Sequence, residues 1–264
     1  MKKFLVLFAV VLFLISCSDY QRALKSEDVA LKFASATKMY DSKKYGKAIR
    51  LFEQIAPANK GKASAEKMFY MYSQALYITN QYYLAGYQFE SFVASYPKSE
   101  KIEETSFLGA KSFTFLSPIY SLDQTDTNKA IDKLQNYIDT YPDGKNIVEA
   151  NSLVKMLREK LEKKAFENAK IYNTVSNYKA AMVAFDNFMI NFPGTPYKEK
   201  ALYYKLDSAY SLAINSVPTK MKERLENAKT AYQVLMKFKA DTEFKNKADQ
   251  MLARIDNDLK QFSK

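Results

Sequence analysis

Five alanines, Ala48, Ala85, Ala130, Ala181 and Ala231, each begin the same apolar stripe. Four residues later stand Phe52, Phe89, Leu134, Phe185 and Leu235, and seven residues later Ile55, Phe92, Tyr137, Phe188 and Phe238. A step of four and then three keeps side chains on one helix face, so each segment predicts an amphipathic α-helix. Twelve residues after the alanine, three of the five segments carry proline, at Pro97, Pro142 and Pro193. Proline has no amide hydrogen to continue a helix, so these positions predict stops.

The stretch upstream of each alanine repeats as well. Twelve residues before it lie Ala36, Ser73 and Ala169, nine before it Met39, Leu76 and Tyr172, and three before it Tyr45, Tyr82 and Tyr178. Small residues let paired helices approach, and the larger ones fill the gap between them. These offsets resemble the tetratricopeptide repeat, a helix-turn-helix unit of about 34 residues. The resemblance implies an all-α solenoid of about five units, at roughly 29–62, 66–99, 103–144, 162–195 and 198–243. A capping helix at 245–262 would close it with a polar outer face. Scarce Gly (6) and Pro (7) beside abundant Tyr (20) and Phe (18) suit packed helices. Units three and five lose the upstream register at Pro118 and Thr219, which predicts longer inter-helix links at Ser117–Asn128 and Asn215–Lys220.

The N-terminus sets the compartment. Lys2 and Lys3 precede an apolar run from Phe4 to Ile15, the layout of a secretory signal peptide over 1–16. That run is too short to span a bilayer, which takes roughly 20 helical residues. The string Leu14-Ile15-Ser16-Cys17 resembles a bacterial lipobox, and Cys17 is the only cysteine in the chain. The resemblance implies cleavage before Cys17 and acylation, palmitate included, of its thiol and new amino group, with 17–28 as lipidated tether. Several acyl chains anchor stably where one is marginal. Ser18 directly after the cysteine points to the outer membrane, with the domain facing the periplasm.

Charge and chemistry narrow the function. The formal net charge of +11 falls to +9 without Lys2 and Lys3, and the cations are spread as a solvated lysine-rich surface instead of an arginine block. Nucleic acid is therefore not an expected partner. With no histidine and one cysteine, the chain cannot build a Ser-His-Asp or Cys-His pair and lacks the usual zinc ligands. No enzyme activity, cofactor or metal is expected. Asp123, Asp126 and Asn128 lack the residue order of a calcium loop, and helix capping by Asp126 or Thr127 explains them.

The stripe aromatics Phe89, Phe92, Phe185 and Phe188 are expected in the core. In tetratricopeptide repeats the first helix of each unit lines the concave groove. The register places Phe33, Thr37 and Tyr40 there from unit one, Tyr70, Gln74 and Tyr77 from unit two, and Phe107, Lys111 and Thr114 from unit three. Tyrosines combine apolar area with a polar tip, which suits an extended aromatic peptide. The same residues could instead pack beneath the N-terminal segment.

Across most of the chain after Cys17, the residues resemble the BamD family of outer-membrane assembly lipoproteins. The resemblance rests on Cys17 followed by Ser18-Asp19-Tyr20-Gln21-Arg22-Ala23-Leu24-Lys25-Ser26, and on the unit ends Ser95-Tyr96-Pro97, Thr140-Tyr141-Pro142 and Asn191-Phe192-Pro193. It implies a non-enzymatic scaffold of the Bam complex. Its partners would be the BamA periplasmic domains, accessory Bam lipoproteins, unfolded outer-membrane proteins and the outer membrane itself. Another repeat lipoprotein, a pilus or cell-wall scaffold, is the alternative; a surface glycan binder fits less well because tryptophan is absent.

Overall fold

The computed structural model describes residues 19–262, so Cys17 and the leader lie outside the described residues. The fold is an all-α tetratricopeptide-type solenoid, and no strand forms among the described residues. Two compact units divide the chain. The first comprises the described residues up to Pro118 together with Leu122–Leu157. It contains a short helix at 19–25, α1 (Val29–Asp41), α2 (Tyr45–Asn59), α3 (Glu66–Ile78), α4 (Tyr82–Ser95), α5 (Ile102–Thr114) and α6 (Thr125–Thr140). Helix α7 (Ile147–Thr174) begins in the first unit and ends in the second. The second unit continues with α8 (Tyr178–Asn191), α9 (Lys198–Ile214), α10 (Pro218–Phe238) and α11 (Lys245–Leu259), with a 3₁₀ turn at Lys260–Phe262.

Three hairpins turn in the same way. Residues 42–44, 79–81 and 175–177 join α1 to α2, α3 to α4 and α7 to α8. Each turn carries one non-glycine residue at positive φ: Lys43 at 58°, Asn80 at 60° and Ser176 at 60°. The amides of Lys44, Gln81 and Asn177 reach back to the carbonyls of Met39, Leu76 and Tyr172, and those of Lys43, Asn80 and Ser176 to Tyr40, Tyr77 and Asn173. This paired Schellman bonding satisfies carbonyls that the helix end would otherwise strand. The outgoing helices stop just as consistently. α4, α6 and α8 end on Tyr96, Tyr141 and Phe192, whose φ of −130°, −128° and −129° is the conformation a following proline imposes.

Ala48, Ala85, Ala130 and Ala181 are fully buried, and so are Phe52, Phe89, Leu134 and Phe185 one turn on. Small residues deepen the α4–α5 crossing. A Cβ on Gly86 would stand 2.9 Å from the Phe113 ring, and one on Gly109 3.1 Å from the Cβ of Phe89. The last unit departs from the expected stripe. Leu225, Ala228 and Leu235 are buried, whereas Phe238 is 46% exposed in the final turn of α10 with the Lys198 ammonium over its ring. Tyr172 is likewise 44% exposed where a gap-filler was expected; burying a tyrosine whole costs about 1–3 kcal/mol when its hydroxyl finds no partner.

Three further expectations need correction. The first insertion is a loop between Thr114 and Thr125, but the second is not: only residues 215–217 separate α9 from α10. The extra residues lengthen those helices to 17 and 21 residues, with Pro218 opening α10, where its fixed φ is already helical. At the start of α6, Asp123 rather than Asp126 or Thr127 meets a free amide, accepting from Thr125 at 2.9 Å. Asp126 lies inside the first turn, and Thr127 is buried, donating to Gln124 Oε1 at 2.7 Å. Finally, the expected tether is part of the core: Tyr20 is 3% exposed and Ala23 fully buried, packed with α1–α4. No helix among the described residues is long and apolar enough to cross a membrane.

Candidate functional site

Helices α1, α3 and α5 are the first helices of their hairpins and lie in the first unit. Of the nine expected groove residues, Phe33, Thr37, Tyr40, Tyr70, Gln74, Tyr77 and Lys111 are half-buried. Phe107 and Thr114 are not available to a ligand. Phe107 is 3% exposed because its ring packs on Tyr137 of α6 at 5.3 Å, and Thr114 is 9% exposed with its hydroxyl donating to the Lys111 carbonyl at 2.7 Å.

The half-buried tyrosines are held by charges, of which the sequence reading singled out Lys111 but not Glu104. Tyr70 donates its hydroxyl to Glu104 Oε1 at 2.8 Å, and Gln74 Nε2 donates to the same oxygen at 3.2 Å. Lys101 pairs with the other Glu104 oxygen at 3.2 Å and lies 5.3 Å above the Tyr70 ring. Burial first, and the adjoining carboxylate second, push the Tyr70 hydroxyl far above the usual phenol range. Tyr40 is raised too, by burial and then by the charges of Tyr45, Asp41 and Glu104. These hydroxyls stay protonated donors at any physiological pH.

Farther along the face, Lys111 pairs with Glu149 at 2.6 Å, and its charge bears on the Tyr77 hydroxyl. Burial pulls the Lys111 ammonium down, but Glu149 and Tyr77 outweigh it and the net shift is upward. Burial raises Tyr77, with Lys111 opposing. The Tyr77 ring touches Tyr82 at 5.6 Å and Phe115 at 6.2 Å, and Phe115 stacks on Tyr82 at 4.0 Å while remaining 48% exposed. The result is an aromatic strip flanked by two ion pairs, Lys101–Glu104 and Lys111–Glu149. Such a strip can offer ring faces, protonated hydroxyls and both signs of charge to a partner. No group of three His, Cys, Asp or Glu among the described residues is placed to hold a metal.

A signal for these partners did exist. Glu104 stands 34 residues after Tyr70, and Lys111 34 residues after Tyr77. One repeat period separates each groove tyrosine from the charge that holds it. Screening the groove positions at that period would have found Glu104, as it finds Lys111 again.

Residues 26–225, which take in α1 to α9 and the start of α10, match the family model YfiO, described as an outer membrane lipoprotein. The chain belongs to this family. A curated relative, the outer membrane protein assembly factor BamD of Rickettsia prowazekii (strain Madrid E), is 24% identical over 177 residues, covering 67% of this chain and 70% of the relative. The family match contains the whole aromatic strip.

Proposed function

We propose that this chain is a lipid-anchored scaffold for outer-membrane protein assembly, held in the outer membrane by acyl chains on Cys17 and facing the periplasm. It works by binding, not by catalysis. The BamA periplasmic domains and accessory Bam lipoproteins are its stable partners, and unfolded β-barrel proteins are its clients. The observation that carries the client reading is the strip of Tyr40, Tyr70 and Tyr77, half-open and fixed by Glu104 and Lys111. Rings already ordered by the fold lose little entropy on binding, which favours them as anchors for an extended peptide.

The test separates client from partner. Replacing Tyr70 and Tyr77 with Ala is expected to weaken a labelled barrel-protein C-terminal peptide by about 30–1000-fold in fluorescence anisotropy, each buried ring contributing about 1–2 kcal/mol. A pull-down of the BamA periplasmic domains should be unchanged when that contact shares no residues with the strip, since sites without shared partners act independently. Unaltered peptide affinity in the double variant would place the client elsewhere.

A further inference from the structure

The turn between α1 and α2 gathers Lys43, Lys44, Lys47 and Arg50 around an open cavity of about 740 Å³, against one acid, Glu53. All four cations are exposed. Some lysines elsewhere are paired, as in Lys111–Glu149, Lys133–Glu90, Lys205–Asp186 and Lys229–Asp256, and many are not, so what sets this turn apart is four cations gathered against one acid. None of these four forms an ion pair among the described residues. They sit where the chain leaves for its N-terminus. The Lys47 ammonium lies 5.1 Å from the centroid of the Tyr20 ring, and Tyr20 and Ala23 are buried in the core beside it.

We propose that this turn is a second membrane contact, in which Lys43, Lys44, Lys47 and Arg50 bind the phosphate groups of anionic phospholipids in the membrane that carries the anchor. The inference rests on the reading that Cys17 is acylated. Cys17 precedes Tyr20 by three residues, so even fully extended chain allows about 11 Å between them. Tyr20 is clamped to the fold, so an anchored chain brings Lys47, and with it the turn that carries the other three cations, toward the headgroup layer. That reach is an upper limit set by full extension; any bend in it brings Lys47, 5.1 Å from the Tyr20 ring, nearer the headgroups and toward the Debye length of about 8–10 Å near physiological salt, within which charge attraction survives screening. A lipid chain combined with a basic patch binds membrane more firmly than either alone. With Tyr20 and Ala23 packed in the core, the patch also fixes which end of the first unit lies on the membrane.

The test uses the protein purified from membranes and returned to phosphatidylcholine vesicles with or without phosphatidylglycerol. Amine-reactive labelling, read residue by residue by mass spectrometry, should slow about fivefold at Lys43, Lys44 and Lys47 on the anionic vesicles, the change expected for about 1 kcal/mol per cation. Lys205 and Lys229 serve as controls and should not change, and high salt should erase the difference. A Lys43→Gln, Lys44→Gln, Lys47→Gln variant, checked for its helical spectrum, should lose about 100-fold of the salt-sensitive affinity for anionic vesicles. Equal labelling on both vesicle types, or undiminished salt-sensitive binding by the variant, overturns the proposal. The anchor is read separately, from the intact mass and from salt-resistant flotation with neutral vesicles. An unacylated protein that still shows charge-dependent protection keeps the patch and sinks the anchor.

Discussion

The first helices of the two units present one register and opposite chemistry. Fifteen, eleven and eight residues before the buried alanine, α1 carries Phe33, Thr37 and Tyr40, and α3 carries Tyr70, Gln74 and Tyr77. The same offsets from Ala181 fall on Phe166, Lys170 and Asn173 of α7. Tyr70 is half-buried, with its hydroxyl on Glu104. Phe166, its counterpart, is 3% exposed, stacked on Tyr197 at 5.2 Å and packed against Phe185, Phe188 and Tyr204. Lys170 caps the Tyr204 ring, and Asn173 donates to Asp207 and Ser208 at 2.8 and 2.9 Å. One face is left open with protonated donors on it, and the other is spent on holding helices together. A repeat position therefore dictates where a side chain goes and that it meets a residue one period later, as Tyr70 meets Glu104 and Asn173 meets Asp207, while the packing around it decides how much of it stays exposed.

The largest effect should come from testing that assignment at Phe166. Removing a wholly buried phenylalanine leaves a cavity and typically costs about 3–5 kcal/mol. Phe166→Ala should thus lower the urea midpoint severely, with no Phe33 or Tyr70 substitution matching it. If Phe166→Ala is mild and weakens peptide binding instead, the two faces do the same work and the contrast fails.

A smaller effect is expected at the clasps that join one hairpin to the next. Glu199 accepts from the Thr242 hydroxyl at 2.6 Å, the Glu243 amide at 3.0 Å and Lys239 at 2.9 Å, and its side chain is 17% exposed. In the first unit Glu103 plays this part with neutral donors, the Tyr137 hydroxyl at 3.2 Å and the Lys145 amide at 2.6 Å. The Thr242 hydrogen bond first, then Lys239, hold the Glu199 carboxyl below its ordinary value of 4.5. A depressed carboxyl contributes stability that is present above 4.5 and is lost as pH falls through the lower folded value. Glu199→Gln should cost about 1 kcal/mol at neutral pH and flatten the acid limb of the stability profile. Glu103→Gln, with no ammonium partner removed, should cost less.

Tyr70→Phe should be milder still, about 1 kcal/mol or less, since it removes one half-exposed hydrogen bond and keeps the ring. Its use lies in what it does to the strip. Glu104 loses the Tyr70 hydroxyl but keeps Gln74 and Lys101, so thermal melts should barely move. Peptide affinity should fall only if the hydroxyl itself meets the ligand.

Much of the architecture was legible because helix periodicity and proline placement are local. Ala85, Phe89, Phe92 and Pro97 fix a helix, its buried face and its end without reference to anything distant. What the sequence hid is tertiary. Phe107 has the offsets of a groove residue, yet α6 takes it for the core through Tyr137. Asn215–Lys220 looked like a loop because register was lost, whereas helices can absorb added residues by growing longer. The 19–25 segment looked like a tether because it precedes the first repeat, and only the packing of Tyr20 and Ala23 shows otherwise. Glu104 and Glu149 are ordinary surface acids until the fold sets them beside Tyr70 and Lys111.

The smallest effect probes the turns that the two units share. Asn80 and Ser176 occupy the same left-handed position, and each receives a hydroxyl from the tyrosine two residues on, Tyr82 to Asn80 at 2.6 Å and Tyr178 to Ser176 at 3.2 Å. Asparagine tolerates positive φ, whereas serine bears about 1–2 kcal/mol of steric cost there. Glycine removes that cost but adds about 0.5–1 kcal/mol of unfolded-chain entropy. Ser176→Gly should therefore stabilise by about 0.5 kcal/mol, a small upward shift of the urea midpoint at constant slope. Asn80→Gly gains no steric relief and loses the shorter hydrogen bond, so its midpoint should fall by a similar amount. Opposite signs at equivalent turns would show that the first unit has the better-suited residue at this bend; equal signs would mean the two turns carry the same strain, and that the contrast between the units stops at their binding faces.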